Sequence, residues 1–144
     1  MKSKNLFFSY YYRNSTEYDR LIEMLEDRGY FDYSNSSLDE ESNAENEDYI
    51  KTKIRSKINW SGTIVVLIGP GTYTRKYINY EIEYARKKDK RIVGVYLRGE
   101  SQSKLPAELR NAHNEGYNDL ALVRWNSDSI VSAIRGTNSW DEGD

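Results

Sequence analysis

Short apolar runs alternate along this chain with segments whose apolar residues recur every three or four positions. The runs are NLFFSY (5–10), a weaker YFDY (30–33), TIVVLIG (63–69), RIVGVYL (91–97) and DLALVRW (119–125). All are rich in β-branched or aromatic residues, and TIVVLI is apolar on both faces, as a central parallel strand should be. Between them, 15–28 sets Tyr18, Leu21, Ile22 and Leu25 on one helical face and ends at Gly29, a helix-stop residue. Residues 47–58 repeat Ile50, Ile54 and Ile58 amid Lys51, Lys53, Arg55 and Lys57. The segment YTRKYINYEIEYARKKDK turns Ile78, Ile82 and Ala85 inward and gathers Arg86, Lys87 and Lys88 at its end, where cations suit the helix dipole. Two further helices are expected, at 105–114 with Pro106 in its first turn, and at 127–135.

Repeated alternation of strand and helix predicts an α/β fold: a five-stranded parallel sheet, doubly wound, with helices on both faces. Ligands of such sheets sit beyond the carboxyl ends of the strands, where strand order reverses. That singles out the loops after Tyr10, Tyr33, Ile68 and Leu97. Residues 34–48 carry Asp39, Glu40, Glu41, Glu45, Glu47 and Asp48 without a Lys or Arg, and read as a long mobile loop. The tail 136–144, GTNSWDEGD, shows no period and is expected to be frayed.

Length and composition narrow the chemistry. The 144 residues suit one domain with one core. A net charge of −2 with near-balanced signs argues against a nucleic-acid binder, whose footprint is basic. The absence of cysteine removes disulfides, thiolate metal sites and Cys nucleophiles. One histidine, His113, makes a His-based metal centre or a Ser-His triad a poor expectation. No apolar run reaches the roughly 18 residues that span a bilayer, and the N-terminal residues are not followed by the apolar region of a signal peptide, so a cytoplasmic protein is expected.

Two glutamates in the 73–88 helix differ sharply. Glu83 precedes Arg86 and Lys87 by three and four residues, the spacing of a surface ion pair. Glu81 has Tyr77, Ile78, Tyr84 and Ala85 at those positions, so no cation of its own helix can meet it. GPGTYT (69–74) could be a phosphate cradle or a strand-to-helix turn that shapes a pocket wall; it lacks the Gly-Lys-Ser/Thr ending of a P-loop. FFSYYYRNS (7–15) could be core Phe with surface Tyr, or a stacking surface for an adenine or nicotinamide ring with Arg13 near the phosphates. A phosphate-accepting receiver domain needs strand-end aspartates, and this chain has Phe8, Ser9 and Tyr10, then Ile68 and Gly69. Neither loop has the Ser/Thr/Gly density of an FMN phosphate site.

Taken together, these motifs resemble the TIR domain, and more closely the TIR-like proteins of Thoeris-type bacterial anti-phage defence. The family's first box is matched by Phe7, Phe8, Ser9 and Tyr10, and its Gly-Tyr-x-Val-Phe-x-Asp region is echoed by Gly29, Tyr30, Phe31 and Asp32. Its third strand corresponds to Val66 to Gly69 with Thr72, and its Trp-x-x-x-Glu-Ile-x-x-Ala helix to Tyr77 through Ala85, with Tyr in place of Trp. The resemblance runs over 4–135 and implies a TIR-like domain at 1–135 with a flavodoxin-like/TIR fold. It implies that Glu81 is catalytic in breaking the nicotinamide–ribose bond of NAD, as in NAD nucleosidases and ADP-ribosyl cyclases, with NAD as substrate and no cofactor or metal. The product would be a cyclic or conjugated ADP-ribose messenger that reaches a separate effector without direct contact. On the same basis Phe8, Ser9 and Tyr10 would form one wall of the pocket, Asn35 and Ser36 a loop contact, Gly69 and Thr72 a third edge, and Tyr77 a ring beside the ribose. A homo-oligomer is expected, because several TIR enzymes complete their pocket with a neighbour's loop; nucleic acid and membrane are not expected partners. The rival reading is a non-catalytic TIR-like adaptor acting by self-association.

Overall fold

A computed structural model of the chain describes residues 4–28, 31–35 and 47–142. The helix stop expected at Gly29, Tyr30 of the second apolar run, Ser36 and the rest of 36–46 lie outside the described residues; of the loop expected at 34–48, Ser34 and Asn35 instead end the second strand, and Glu47 and Asp48 open the second helix. The strands are β1 (Lys4–Ser9), β2 (Phe31–Asn35), β3 (Thr63–Ile68), β4 (Arg91–Tyr96) and β5 (Leu120–Val123). The helices are α1 (Ser15–Arg28), α2 (Glu47–Trp60), α3 (Lys76–Lys87), α4 (Ala107–Asn114) and α5 (Ser127–Arg135). All strand pairs are parallel and the sheet order is β2-β1-β3-β4-β5.

Strand alternation splits the core into two layers. Leu6, Phe8, Val65, Leu67, Val93, Val95, Ala121 and Val123 face α1 and α5, where they meet Leu21, Ile22, Ile130 and Ile134. The intervening residues, Phe7, Ile64, Val66, Ile68, Ile92, Tyr96 and Leu122, face α2, α3 and α4. The four-residue repeat of α2 puts Ile50, Ile54 and Ile58 into this second layer at no more than 2% exposure, each contributing roughly 1.5–3 kcal/mol. Both central strands, β3 and β4, are buried along their whole length, which explains why their sequences lack a polar face.

Helix ends follow local chemistry. Asn126 caps α5 by accepting the Ser129 N–H at 3.0 Å. Pro106 stands at the N-cap of α4 and not inside its first turn, one residue from the expectation. Among the described residues no helix is long and apolar enough to cross a membrane.

The expectation of a frayed tail is corrected over residues 137–142. Leu122 of β5 donates its N–H to the Ser139 carbonyl (2.8 Å) and accepts the Asp141 N–H (2.9 Å). Arg91, only 7% exposed, donates to the carbonyls of Ala133 and Thr137 (both 2.8 Å) and to the Asn138 side chain (2.6 Å), and pairs with Asp119 at 2.8 Å. Trp140 stacks on His113 with ring centroids 3.8 Å apart, and Glu142 receives two hydrogen bonds from Arg110 (2.8 and 2.6 Å). An aperiodic sequence hid these anchors because every partner comes from elsewhere in the chain.

Candidate active site

The chain leaves β1 for β2 on one side and takes up β3 on the other, so strand order reverses between β1 and β3. Beyond their carboxyl ends lies the crevice where sheets of this order bind ligands. Ser9 is the last residue of β1 and pairs in register with Val66 of β3. After β1 the chain passes Tyr10 and Tyr11 into a single 3-10 turn, Tyr12–Asn14. After β3 it passes Gly69 to Gly71 into a second, Thr72–Thr74, before α3 begins.

In the second turn of α3, Glu81 points back at the end of β1. Glu81 and Ser9 are both fully buried, and the Ser9 hydroxyl donates to Glu81 Oε1 at 2.5 Å. A hydroxyl bonded to a carboxylate is a charge-assisted hydrogen bond, and it fixes which way the carboxylate faces. The spacing of α3 offers Glu81 no cation of its own helix, but α2 brings one within electrostatic range. Half-buried Lys57 of α2 feels the Glu81 charge: burial and the neighbouring Lys53 lower the affinity of Lys57 for its proton, and Glu81 acts against both. The Ser9 hydroxyl thus fixes one oxygen of the carboxylate, and the Lys57 ammonium offsets part of its field. Glu83, by contrast, is exposed and lies 4.0 Å from Lys87, the ordinary pair its spacing implied.

The β3–α3 connection is a turn, which resolves one of the alternatives left open by GPGTYT. The Gly69 N–H, which a phosphate cradle would need, donates instead to Thr72 Oγ1 at 3.1 Å. The Thr72 N–H returns to the Gly69 carbonyl at 3.2 Å, and Asn14 Nδ2 reaches Thr72 Oγ1 at 3.4 Å. Gly71 has φ +81, a left-handed conformation that disfavours any side chain. A Cβ at Gly69 would come within 2.8 Å of Leu97 Cδ1 and 3.2 Å of Asn14 Nδ2, so the loops after β1, β3 and β4 converge there.

The family model of the Thoeris protein ThsB, TIR-like domain, matches residues 7–102, which hold Ser9, Glu81 and the whole crevice. The chain belongs to this family. The fold is similar to that of the Clostridium botulinum CMP N-glycosidase BcmB, with a TM-score of 0.57, 14% identity, and 92% of this chain and 99% of that one covered. It is also similar to a conserved protein from Enterococcus faecalis V583, with a TM-score of 0.56, 14% identity, and 92% and 98% covered. At such identity the likeness is one of fold. No curated protein matches the chain.

Within this ThsB-type TIR-like domain, strand alternation separates residues that the motif groups together. Ser9 faces α3, whereas Phe8 and Tyr10 turn to the opposite side of the sheet, toward α1. Phe8 meets Tyr18 edge-on at 5.6 Å, and Tyr10 stacks on Tyr18 at 4.3 Å. Burial, and then the charge of Asp19, raise the Tyr10 hydroxyl above its usual range. Phe8 and Tyr10 therefore do not share a wall with Ser9. Thr72 and Gly69 are buried beside Asn14 just after β3, and Tyr77, 6% exposed, sits one turn before Glu81 in the α2–α3 core layer. Arg13 is exposed and donates to the Tyr12 hydroxyl at 3.2 Å. Asn35 closes β2 in register with Phe8.

Four further residues stand near these: Lys57 within electrostatic range of Glu81, Asn14 bonded to Thr72, and Tyr11 with Arg75. The Arg75 guanidinium lies over the Tyr11 ring, 4.4 Å from its centroid. Lys57 was accessible to periodicity, because it follows Ile54 by three residues and so shares the inner flank of α2. The Arg75–Tyr11 contact joins segments that only the sheet order brings together. Among the described residues no group of three or more His, Asp or Glu could hold a metal ion.

Proposed function

We propose that this TIR-like domain cleaves NAD at the nicotinamide–ribose bond and releases the ADP-ribose part as a cyclic or conjugated messenger for a separate effector in anti-phage defence. The observation that carries the reading is the Glu81 carboxylate, buried at the β1/β3 switch point and oriented by Ser9. Breaking the C1′–N bond sends the electron pair to nicotinamide, which leaves as a neutral base and needs no proton. Positive charge then grows on the ribose, as in the oxocarbenium-like transition state of glycoside hydrolysis. A fixed carboxylate facing that carbon stabilises the developing charge without reorganising. Water or an internal nucleophile completes the reaction at C1′ and loses its proton, giving linear or cyclic product; exclusion of water from the crevice decides between them. That one protein of this fold is described as an N-glycosidase agrees with the bond class. The reading takes NAD as substrate, asks for no further cofactor, and places the protein in the cytoplasm as a homo-oligomer.

A second reading has its own observation. Ser9 and Glu81 are fully enclosed, and Lys57 is near, as expected of a carboxylate that only holds α2, α3 and β1 together in a self-associating adaptor. In the enzyme, the rim formed by 11–14 and 69–75 opens to admit substrate. Nicotinamide release from NAD, followed with purified protein and in lysates of phage-infected cells, separates the two. The enzyme loses turnover on Glu81→Gln while keeping its fold; absence of NAD loss in every preparation of a folded wild type favours the adaptor.

A further inference from the structure

We propose that Asn79 is a positioning residue of the reaction: its carboxamide latches the β3–α3 rim to the first turn of α4, and this latch sets how often the crevice opens. The inference rests on the NAD-cleaving reading, in which the rim lifts to admit substrate. Asn79 is half-buried in α3, two residues before Glu81. Its Nδ2 donates to two carbonyls, those of Tyr73 at 3.3 Å and Arg75 at 3.1 Å. Its Oδ1 accepts the backbone N–H of Glu108 at 3.0 Å. One side chain thus joins the rim, the start of α3 and the start of α4.

Each contact meets a local need. The first N–H groups of a helix have no partner within it. Pro106, at the N-cap of α4, has no side chain to accept from them, and Asn79 Oδ1 does so from another helix. Tyr73 belongs to the 3-10 turn Thr72–Thr74, whose Thr72 holds Gly69 and Asn14. Lifting that turn therefore breaks the Asn79 bonds or carries α4 with it. A second contact runs alongside: the Lys104 ammonium, from the segment leading into α4, lies 5.2 Å from the Tyr73 ring centroid. The task needs donor and acceptor on one short planar group; Asp has the shape without the donors, and Leu has neither. Ser9 and Glu81 are fully enclosed, so a closed rim and a bound nucleotide exclude each other. Binding then draws on the open fraction alone, and apparent affinity follows that fraction. A rim freed from Asn79 opens more often.

Amide hydrogen exchange at Arg75 and Glu108, together with steady-state turnover of NAD, tests the latch. The Arg75 N–H is bonded to the Thr72 carbonyl within the rim, and the Glu108 N–H to Asn79 itself. Asn79→Asp keeps the acceptor and loses both donors. Exchange at Arg75 is expected to accelerate about three- to tenfold, with Glu108 within about twofold of wild type. Asn79→Leu, which loses donors and acceptor, accelerates exchange at both amides. KM for NAD should fall in Asn79→Asp by about the factor by which Arg75 exchange rises, a gain in apparent affinity that a merely structural loss would not produce. Unchanged exchange at Arg75 in a folded Asn79→Asp, equal acceleration at Arg75 and Glu108, or a KM that stays or rises overturns the inference. The expected exchange pattern in a protein that does not cleave NAD keeps the latch and removes the reaction. Cleavage of NAD with both KM and Arg75 exchange unmoved by Asn79→Asp does the reverse.

Discussion

Removing the Ser9 hydroxyl is the sharpest probe of the buried carboxylate. Both side chains are fully enclosed and the bond is short, so Ser9→Ala deletes a charge-assisted hydrogen bond and leaves Glu81 Oε1 without this donor. Hydrogen bonds to charged groups contribute about 1.5–3 kcal/mol, and about 2 kcal/mol is expected here. For a domain of this length that is a fall of about 4–8 °C in Tm. In a Glu81→Gln background the same change removes a neutral bond, for about 1 kcal/mol. The double-mutant cycle should therefore show a coupling of about 1 kcal/mol. Urea unfolding of the four proteins at pH 7, followed by circular dichroism with an unchanged m-value, measures all of it. Glu81→Gln should also lower the affinity of Lys57 for its proton further, since Glu81 opposes burial and Lys53 there; carbon-detected NMR of the lysine side chain reads this. A cost of Ser9→Ala below about 0.5 kcal/mol, or no coupling, would show that the bond does not hold the carboxylate.

At the other end of the molecule, Arg91→Met should cost about 2–3 kcal/mol, because it strands the buried Ala133 carbonyl and removes the bonds to half-exposed Asp119 and to Thr137 and Asn138 of the tail. Urea unfolding measures it, exchange of the Leu122 amide should accelerate, and a loss under about 1 kcal/mol refutes the clamp. Glu142 is held at about 2, first by Arg110 and then by Trp140, below its ordinary 4.5. Its contribution is therefore present above about 4.5 and lost as pH falls through about 2. With both side chains more than a third exposed, screening limits that contribution to about 1 kcal/mol or less. Thermal melts from pH 7 downward should show Glu142→Gln less stable at neutrality and equal to wild type at the acid end.

How much of this could be read from the sequence depends on the range of the interaction. Period-two and period-four patterns are local, and they placed the helix faces and marked Glu81 as a charge in an apolar setting. The same period two separates Ser9 from Phe8 and Tyr10, yet a motif read as a block of adjacent letters merges the two faces of a strand. Lys57 near Glu81 and Arg75 over Tyr11 depend on which helix packs beside which and on β1 lying next to β3. Those are consequences of sheet order, which a linear pattern does not state. The same is true of the tail, whose partners Arg91, Arg110 and His113 lie 20 or more residues upstream.

The docked tail also bears on how the sheet meets other chains. A terminal strand ordinarily exposes a row of unpaired amides and carbonyls, an invitation to intermolecular pairing and aggregation. Here the outward N–H and C=O of Leu122 are already taken by Ser139 and Asp141. A foreign strand seeking β5 would first have to peel away a segment fastened by one buried arginine, one ring stack and one two-pronged ion pair. Edge-to-edge polymerisation at that side is thereby blocked by the protein's own chain, and any ordered assembly is left to its helices or to its other sheet margin.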